Sequence, residues 1–525
     1  MRRRLNKPLL SVEYRFAILH LRFIACSMGV VVRQSIKSTI VTISGAALGA
    51  LIVITSTRFF SQSDYGVTRT LLGNAVMFSY ITTFGFNYTV IIYGQRYPAD
   101  HPARAAFLRF SLIIPAIITG AVCLALLLFK EPFLKLYSQE GDYAILSRYY
   151  ILFPLLIFLN FTAMWLEYYM ISISRSAIQS FTREIVFRLT NILMIVLYAL
   201  NWINFDVFIW GFSLGMLLPI FILSFEAAKH KGFTFKRDQR LSKKEKSEIV
   251  NFSFYHMLSI VGGMLLSSLD SILLTPLADD GVKAVAVYAV PVFAMSLLKS
   301  PVKVMSNAVF PTLTEAYNAN DPKKLQMLFQ RAAVNMQAVS LAFALLMVVN
   351  ADNVLRFMNI VTEGYGMVKP VMLILVIGTM TDLIFGPSYI LIGISRYFKF
   401  NFWISLLLIF VVFGLNVWLI KLLGITGAAW ATSIGLIIYN LLKSGLLWFK
   451  LKINPFNRKT LQVFVITAVT GVLVYAIPYI GNVFADIAVR SVLTLGIVVS
   501  VFYRLNISDE ITELIRNVIF RRKMY

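Results

Sequence analysis

The chain has 525 residues, of which 58% are apolar and only 14% are charged, and its mean hydropathy is +0.75. Soluble proteins carry about 25% charged residues, so this composition excludes an ordinary soluble fold and indicates an all-α integral membrane protein. The net charge is +24, yet no stretch interleaves basic and aromatic residues, so we expect membrane lipid and no nucleic acid to face that charge. Two cysteines and four histidines without metal-ligand spacing predict neither a disulfide framework nor a metal site.

Residues 1–32 form a basic N-terminal extension. The apolar run after its basic start is interrupted by His20 and Arg22, and it is too short to span a membrane or to serve as a signal-peptide core. Met28 then opens the stretch MGVVVRQSIKST, which has the form of a natural start. We therefore expect translation to begin at Met28.

Fourteen apolar segments follow, each about 20 residues long, which is the length that crosses a bilayer as a helix. Their backbone polar groups must be satisfied within each segment, because the bilayer core offers no water. Their approximate limits are 36–58, 68–93, 105–128, 149–171, 180–201, 206–227, 251–276, 284–309, 332–350, 368–393, 400–421, 425–448, 460–479 and 483–504.

The longest hydrophilic stretch, residues 229–248, contains eight Lys and Arg against three acids. Basic loops stay in the cytoplasm, so we place this linker inside. Most other basic loops then also face inside, and both termini are expected in the cytoplasm. The linker separates an N-terminal lobe, residues 33–228 with spans 1–6, from a C-terminal lobe, residues 249–450 with spans 7–12. Spans 13 and 14 lie in residues 451–505.

Two further stretches are typical of amphipathic helices on the inner membrane surface. One begins at Asp321 as DPKKLQMLFQRA, with the aspartate as cap and Pro322 at the first helical position. The other is the tail, residues 506–525, which is acidic at its start and basic at its end, as the helix dipole favours.

The chain also repeats itself weakly. SDYGV at 63–67 matches DDGV at 279–282, and ISISR at 171–175 matches IGISR at 392–396. The two offsets are almost equal, and each pair occupies equivalent places in the topology. These matches predict two pseudo-symmetric six-helix lobes of the same orientation around a central cleft, an arrangement typical of rocking transporters, with two C-terminal helices outside the repeat.

The order of several strings resembles one family. These strings are VVRQSIKSTIVTISGAALGAL with SQSDYG after the first span, LDSILL in the seventh, and LGITGAAWATSIG leading into the twelfth. They are similar to the polysaccharide and O-antigen flippases of the multidrug/oligosaccharidyl-lipid/polysaccharide exporter superfamily, from about Met28 to the tail. The resemblance implies V-shaped lobes around a cationic cavity. It also implies a transporter, not an enzyme, which moves undecaprenyl-pyrophosphate-linked oligosaccharide across the bacterial cytoplasmic membrane.

Charges inside spans are costly, so each is a candidate functional group. Lys299 and Lys303 lie four residues apart on span 8 and share one face, with Pro301 between them expected to kink or loosen the helix. Lys299 is too deep to reach the headgroups easily, so we expect both lysines in the cavity. The other head-group candidates are Lys37, Arg58, Arg69 and Arg188; for those near span ends, extension to the headgroups is the alternative.

The intramembrane acids have several interpretations. Asp270 in span 7 and Asp382 in span 10 are candidates for binding a coupling ion, Na⁺ or H⁺, and a structural salt bridge to Lys299 or Arg58 is the alternative. Arg183 with Glu184 is expected to be a surface pair, and Glu167 to lie near the interface. Asp486 and Arg490, at i and i+4, are expected to pair with each other.

A glycine pattern adds a prediction about packing. Gly45 and Gly49 form a GxxxG motif on span 1, which favours close approach of another helix.

The leading hypothesis is therefore a flippase for polyprenyl-pyrophosphate-linked glycan, such as an O-antigen, capsule or exopolysaccharide unit. It would act by alternating access as a monomer without cofactors, with the membrane potential helping to move the anion outward and polysaccharide polymerase machinery as a possible partner. A drug or cation antiporter of the same fold would need an acidic or aromatic cavity. A membrane polymerase or ligase would need a large outer loop. A peptidoglycan-precursor flippase differs only in head group and stays open.

Overall fold

The computed structural model describes residues 41, 44–235, 240–358, 365–510, 512, 513 and 516. Within these ranges the chain forms helices joined by turns and loops, with no β-strand. The predicted all-α fold is confirmed. Residues 1–32, Lys37 and most of the tail 506–525 lie outside the described residues, so the start at Met28 stays a prediction.

The first half contains eleven described helices, joined by short connections. They are α1 (Ser44–Phe59), α2 (Gln62–Thr82), α3 (Phe86–Gly94), α4 (Arg104–Leu128), α5 (Lys130–Tyr137), α6 (Glu140–Tyr149), α7 (Leu152–Ser172), α8 (Ser176–Phe181), α9 (Phe187–Ala199), α10 (Phe205–Leu214) and α11 (Leu217–Ala228). A single π-helical turn, Thr182–Val186, joins α8 to α9.

The second half contains ten described helices, several of them long. They are α12 (Lys243–Leu277), α13 (Gly281–Asn318), α14 (Pro322–Val349), α15 (Ala351–Phe357), α16 (Val368–Ile384), α17 (Ser388–Ile394), α18 (Phe398–Leu423), α19 (Ile425–Leu446), α20 (Arg458–Tyr475) and α21 (Val483–Arg504). A second π-helical turn, Leu447–Leu451, ends α19.

Helix occupies the described part of all fourteen predicted spans. Nine helices in the described ranges are long and apolar enough to cross a membrane, and eleven are if two bent pairs each count as one span. The chain is thus a multi-pass membrane protein, whereas the count of fourteen stays a prediction. The bent pairs are α2 with α3, at 51°, and α16 with α17, at 47°.

Two predicted boundaries were wrong. Asp321 caps α14, accepting a hydrogen bond from the Lys324 N–H, but the helix it starts runs on to Val349 and is no separate surface helix. The last residues of the predicted linker also belong to α12, whose start at Lys243 is fixed by a capping box between Ser242 and Glu245. The inner ends of two spans therefore extend beyond the apolar segments.

The two halves meet closely near the start of α2 and at the bend between α2 and α3. A Cβ atom at Gly66, near the start of α2, would overlap the Val282 carbonyl oxygen of α13. A Cβ atom at Gly85, in the bend, would overlap the Ser253 carbonyl oxygen of α12, and φ at Gly85 is +75°. We call these contacts the outer seam and the inner seam, following the predicted orientation. At the inner seam the Thr89 and Ser253 hydroxyls are 2.7 Å apart and buried.

Most of the apolar core lies within each half. In the first half, Phe107, Ile157 and Tyr169 are among the fully buried side chains, and in the second half Tyr288 and Phe329 are. Val282 and Ala286 of α13 also belong to a core cluster of the first half. The outer seam is therefore packed like a core and not like a loose surface contact.

Candidate functional site

A cluster of arginines lies in the interior of the first half. Arg69 of α2, Arg183 of the π-helical turn and Arg188 of α9 line a common cavity of 280 Å³, together with Glu184. We call this cavity the arginine pocket. Aromatic rings form much of its wall, and these are Phe60, Tyr65, Phe187, Phe208, Phe212 and Phe293.

The π-helical turn explains how two arginines five residues apart share the pocket. On a regular α-helix, positions i and i+5 are separated by about 140° around the axis, because each residue advances about 100°. A π-helical turn has more residues per turn, so it reduces this angle, and such turns are frequent at functional sites. Arg183 lies within the π-helical turn, Arg188 lies two residues after its end, and both line the same cavity. Spacing on a regular helix does not predict this arrangement.

Two ion pairs hold these arginines, and they are not the predicted pair. Arg183 Nη1 lies 3.0 Å from Glu167 Oε2, and Arg188 Nη2 lies 2.6 Å from Glu184 Oε2. The prediction of an Arg183–Glu184 surface pair was wrong. The Glu167 side chain is only 8% exposed, and its position near the membrane interface stays a prediction. Glu167 lies on α7, so only the folding of α7 against the π-helical turn reveals its partner.

The GxxxG pattern on α1 accommodates these charged side chains. A Cβ at Gly45 would lie 2.7 Å from the Glu184 side chain, and one at Gly49 would lie 2.5 Å from Arg188 Nη1. Arg188 Nη1 also donates a hydrogen bond to the Gly45 carbonyl oxygen. The predicted close approach is present: the side chain and the backbone carbonyl of Glu184 lie against Gly45, and the Arg188 side chain lies against Gly49.

Arg69 differs from its two neighbours. Its Nε donates a 3.0 Å hydrogen bond to the Tyr65 hydroxyl, and its guanidinium lies 5.0 Å from the centre of the Tyr65 ring. Among the described residues it has no carboxylate within ion-pair distance. Arg69 is therefore a pocket cation whose charge no carboxylate in the described part of the chain compensates.

The second half contains a different cluster, formed by Asp382 of α16, Lys443 of α19 and Lys299 of α13. Lys443 Nζ lies 3.7 Å from Asp382 Oδ1 and 4.0 Å from the centre of the Tyr439 ring. The Lys443 side chain is 5% exposed, whereas that of Asp382 is 33% exposed. Lys299 is near enough for its charge to repel that of Lys443. We call these three residues the lysine cluster.

Lys443 is the functional candidate that sequence reasoning missed. It lies close to the inner end of predicted span 12, where a lysine is unremarkable. The available signal was Asp382, a mid-span acid for which a cation on a neighbouring helix was needed. Lys299 is half-buried and Lys303 is exposed, and neither has a carboxylate partner within the described ranges. Pro301 lies inside the continuous helix α13.

Asp270 lies apart from the lysine cluster, buried at 3% exposure. Its carboxylate accepts hydrogen bonds from the Tyr288 hydroxyl, from the Thr432 hydroxyl at 3.1 Å and from the Ser271 N–H at 2.9 Å. The alternative of a salt bridge to Lys299 or Arg58 is thus wrong for this structure. A buried carboxylate that receives hydroxyl donors is suited to hold a proton or a small cation.

The remaining candidates lie outside these clusters. Arg58 is exposed in the last turn of α1, and Lys37 is outside the described residues. Asp486 and Arg490 form the predicted pair, at 2.6 Å, and Arg490 also donates to the Val474 and Ile477 carbonyls. In the part of the chain that the structure describes, no group of three His, Cys, Asp or Glu side chains is arranged to hold a metal.

A large apolar cavity of 730 Å³ lies beside the lysine cluster. It is enclosed by α1, α13, α14, α15 and α16. Leu298 and Ser300, which flank Lys299 in α13, both line it. Lys299 is half-buried and does not itself line the cavity, so the cavity offers an apolar surface next to this cation along α13.

Comparison with known families identifies the chain's relatives. Residues 31–317 match the family described as "Polysaccharide biosynthesis protein", which is more than half of the chain. The chain belongs to this polysaccharide biosynthesis family. The family resemblance noted in the sequence is thereby confirmed. No curated protein matches the chain.

Solved structures show which fold this family member adopts. The lipid II flippase MurJ in an inward closed conformation has a TM-score of 0.69 at 16% identity, covering 90% of this chain and 100% of its own. A multidrug resistance MATE transporter of the MOP superfamily, inward-facing, has a TM-score of 0.61 at 16% identity, with 79% and 98% covered. A MOP superfamily transporter from Pyrococcus furiosus has a TM-score of 0.53 at 12% identity, with 81% and 95% covered. The fold is that of a membrane transporter.

Proposed function

We propose that this protein is a flippase that carries a polyprenyl-pyrophosphate-linked glycan from the cytoplasmic to the outer leaflet of the bacterial inner membrane by alternating access. The observation that carries the proposal is Lys299, a half-buried intramembrane cation with no carboxylate partner among the described residues, beside an apolar cavity of 730 Å³. Such a cation is costly in a bilayer unless it serves a ligand. Membership of the polysaccharide biosynthesis family supports the glycan.

Each part of the substrate has a matching surface. The polyprenyl chain is apolar and fits the apolar cavity, and the pyrophosphate is an anion that charge-assisted hydrogen bonds from lysine stabilise strongly. Because the pyrophosphate joins lipid to sugar, it belongs at the border between apolar and cationic surfaces. Lys299 lies next to the cavity along α13, since its neighbours Leu298 and Ser300 line the cavity although Lys299 itself does not.

The two seams offer a way to alternate access to the interior between the two sides of the membrane. The inner seam at Gly85 and the outer seam at Gly66 both join the halves at the kinked pair α2–α3. Opening one seam while the other stays packed exposes the interior to one side only. The seams are backbone contacts, so they have two discrete states and not a continuous range.

The membrane potential supplies a driving force for outward movement of the anionic head group. Moving one charge through 100 mV is worth about 2.3 kcal/mol, and an anion leaving a negative interior moves downhill. Asp270, held by Tyr288 and Thr432, is the proposed coupling site for H⁺ or Na⁺, in preference to Asp382, which is engaged by Lys443. We expect the protein to act as a monomer next to the polymerase machinery that uses its product.

Deletion of the gene, followed by mass spectrometry of the lipid extract, tests the proposal. A flippase defect leaves polyprenyl-pyrophosphate-linked glycan accumulated on the cytoplasmic face, and re-expression of the protein clears it. Unchanged lipid-linked intermediates in the deletion strain would contradict the proposal.

A lipid II flippase is the second candidate, favoured by the similarity to the MurJ fold. Expression of this protein in cells depleted of their own lipid II flippase separates the two. Restored growth supports lipid II, whereas lysis of the depleted cells supports a different glycan. A drug or cation antiporter is disfavoured, because Arg69 and Lys299 place uncompensated positive charge where a cation would have to bind.

A further inference from the structure

The arginine pocket provides cationic side chains in addition to those that a pyrophosphate bound at Lys299 requires. It lies in the first half, on the other side of Phe293, whose ring lines the pocket. Phe293 and Lys299 are six residues apart on α13, which is about 9 Å along a helix axis. A group held in the pocket is therefore displaced from the pyrophosphate position by a distance on the scale of a sugar unit.

The chain already shows which anion the pocket arginines hold. Arg188 engages the Glu184 carboxylate at 2.6 Å, and Arg183 engages the Glu167 carboxylate at 3.0 Å. The planar guanidinium fork matches the planar carboxylate, and Arg is preferred over Lys where this geometry matters. Arg69, with no carboxylate of its own among the described residues, faces the same 280 Å³ cavity. One carboxylate position beside Arg69 is thus left for a ligand.

The wall of the pocket favours a sugar as the bearer of that carboxylate. Phe60, Tyr65 and Phe293 line the cavity. Aromatic rings give flat apolar faces against which the C–H face of a pyranose ring packs, and the polar groups then fix its orientation. Ligand pockets typically measure about 300–1,000 Å³, so this one, at 280 Å³, lies just below that range and suits no more than a single sugar.

We propose that the arginine pocket is a subsite for an acidic sugar, a hexuronic acid or a related carboxylated sugar, within the transported glycan. This inference rests on the proposed flippase function and narrows its substrate class. The sugar carboxylate binds Arg69 and competes with Glu184 for Arg188. Glu184 then holds Arg188 in place while the pocket is empty and limits the affinity for the ligand, so that the glycan is released after translocation.

Two matched synthetic ligands test the subsite. Both are citronellyl-pyrophosphate disaccharides, one ending in glucuronic acid and the other in glucose, and their dissociation constants are measured on the full-length protein in nanodiscs. We expect the wild type to bind the glucuronate ligand roughly tenfold more tightly, as one charge-assisted hydrogen bond implies. Equal affinities would overturn the acidic-sugar subsite and leave the flippase proposal standing, whereas binding of neither ligand would overturn both.

Variants then show which residue causes the preference for the glucuronate ligand. They also show whether that residue acts on the ligand or only on the fold. Arg69→Gln should abolish the preference for glucuronate without weakening the glucose ligand, and Lys299→Gln should weaken both ligands equally. Glu184→Gln should bind the glucuronate ligand at least as tightly as the wild type, because its competitor for Arg188 is gone. Arg148→Gln, at an exposed outer ion pair, is the control and should change nothing. A preference that survives Arg69→Gln, or is lost in Glu184→Gln, would contradict the proposal.

Discussion

In the first half of the molecule the pocket cations are arginines, and glutamates hold two of them, Arg183 and Arg188. In the lysine cluster of the second half, Lys443 pairs with Asp382, whereas Lys299 has no carboxylate partner among the described residues. The arginines line a small aromatic pocket, and Lys299 lies next to a large apolar cavity. Asp270, also in the second half, is held by hydroxyl groups instead of a cation. The two halves thus differ in their charged side chains and in the partners of those side chains, although their sequences repeat weakly.

The two halves also differ in which of their predicted spans are bent. The second span of the first half is broken between α2 and α3, whereas its repeat counterpart, α13, is one continuous helix of 38 residues. In the second half the broken span is α16–α17. The unequal bends and charges are consistent with the proposed division, in which the arginine pocket binds an acidic sugar and the second half binds the lipid pyrophosphate.

Lys299→Ala should have the largest effect, a loss of flipping, because it removes the uncompensated cation beside the apolar cavity. Lys299→Arg should keep part of the activity, since the charge remains while its geometry changes. Lys303→Ala should have a smaller effect, because Lys303 is exposed. Complementation of the deletion strain, normalised to protein amount in the membrane, gives the measurement.

The Lys299 variant also distinguishes a ligand contact from a structural pair. Asp270 is bonded to Tyr288 and Thr432, so the additional substitution Asp270→Ala should not restore the activity of Lys299→Ala. Restoration by the double variant would mean that the two residues pair in the working protein, against the geometry seen here.

Gly85→Ala should come next, because its Cβ overlaps the Ser253 carbonyl at the inner seam and because φ is positive. Disulfide formation between cysteines placed at Thr89 and Ser253 should fall severalfold in this variant, and transport should fall with it. Gly73→Ala, in the same α2, is the matched control, since an added Cβ there meets nothing within 4 Å. Equal cross-linking in both variants would show that the seam does not depend on Gly85.

Lys443→Met should have an intermediate effect on stability. Removing one partner of a buried pair costs about 3–5 kcal/mol, and partial exposure of Asp382 reduces this to about 1–3 kcal/mol. Lys443→Met with Asp382→Leu should recover much of the loss, because no unpaired charge remains. Thermal unfolding in detergent measures both, and no recovery would indicate that Asp382 has a further partner.

The smallest effect is expected at the inner surface, where Tyr97 donates a 3.0 Å hydrogen bond to Glu245 across the two halves. Hydrogen bonds to Ser242 and Tyr97 lower the pKa of Glu245, and burial together with Glu245 raises the pKa of Tyr97 to about 12. The contribution of Glu245 to the free energy of unfolding is therefore present above its ordinary pKa and is lost as pH falls below it. The contribution of Tyr97 persists until pH rises past its ordinary pKa towards 12. Tyr97→Phe should lower stability by about 0.5–1.5 kcal/mol equally at pH 6 and pH 9. A difference between these pH values would contradict this assignment.

Hydrophobic length and local spacing were enough to predict much of the fold. Each predicted span is helical where described, and Asp486 pairs with Arg490 as the i, i+4 rule requires. Contacts between distant helices were not predictable in this way. Arg183 finds Glu167 on α7, and Asp382 finds Lys443 on α19, because packing decides which helices are neighbours. The π-helical turn also escaped prediction, since it changes the angular spacing on which such rules depend.

The central claim is tested most directly by reconstitution. Purified protein is placed in liposomes that contain a fluorescent polyprenyl-pyrophosphate glycan, and its appearance in the opposite leaflet is followed by accessibility to a membrane-impermeant glycosidase. We predict protein-dependent translocation that accelerates when the compartment the anion leaves is made negative and that is lost in Lys299→Ala. Equal translocation by Lys299→Ala and the wild type, or none above protein-free liposomes, would contradict the account.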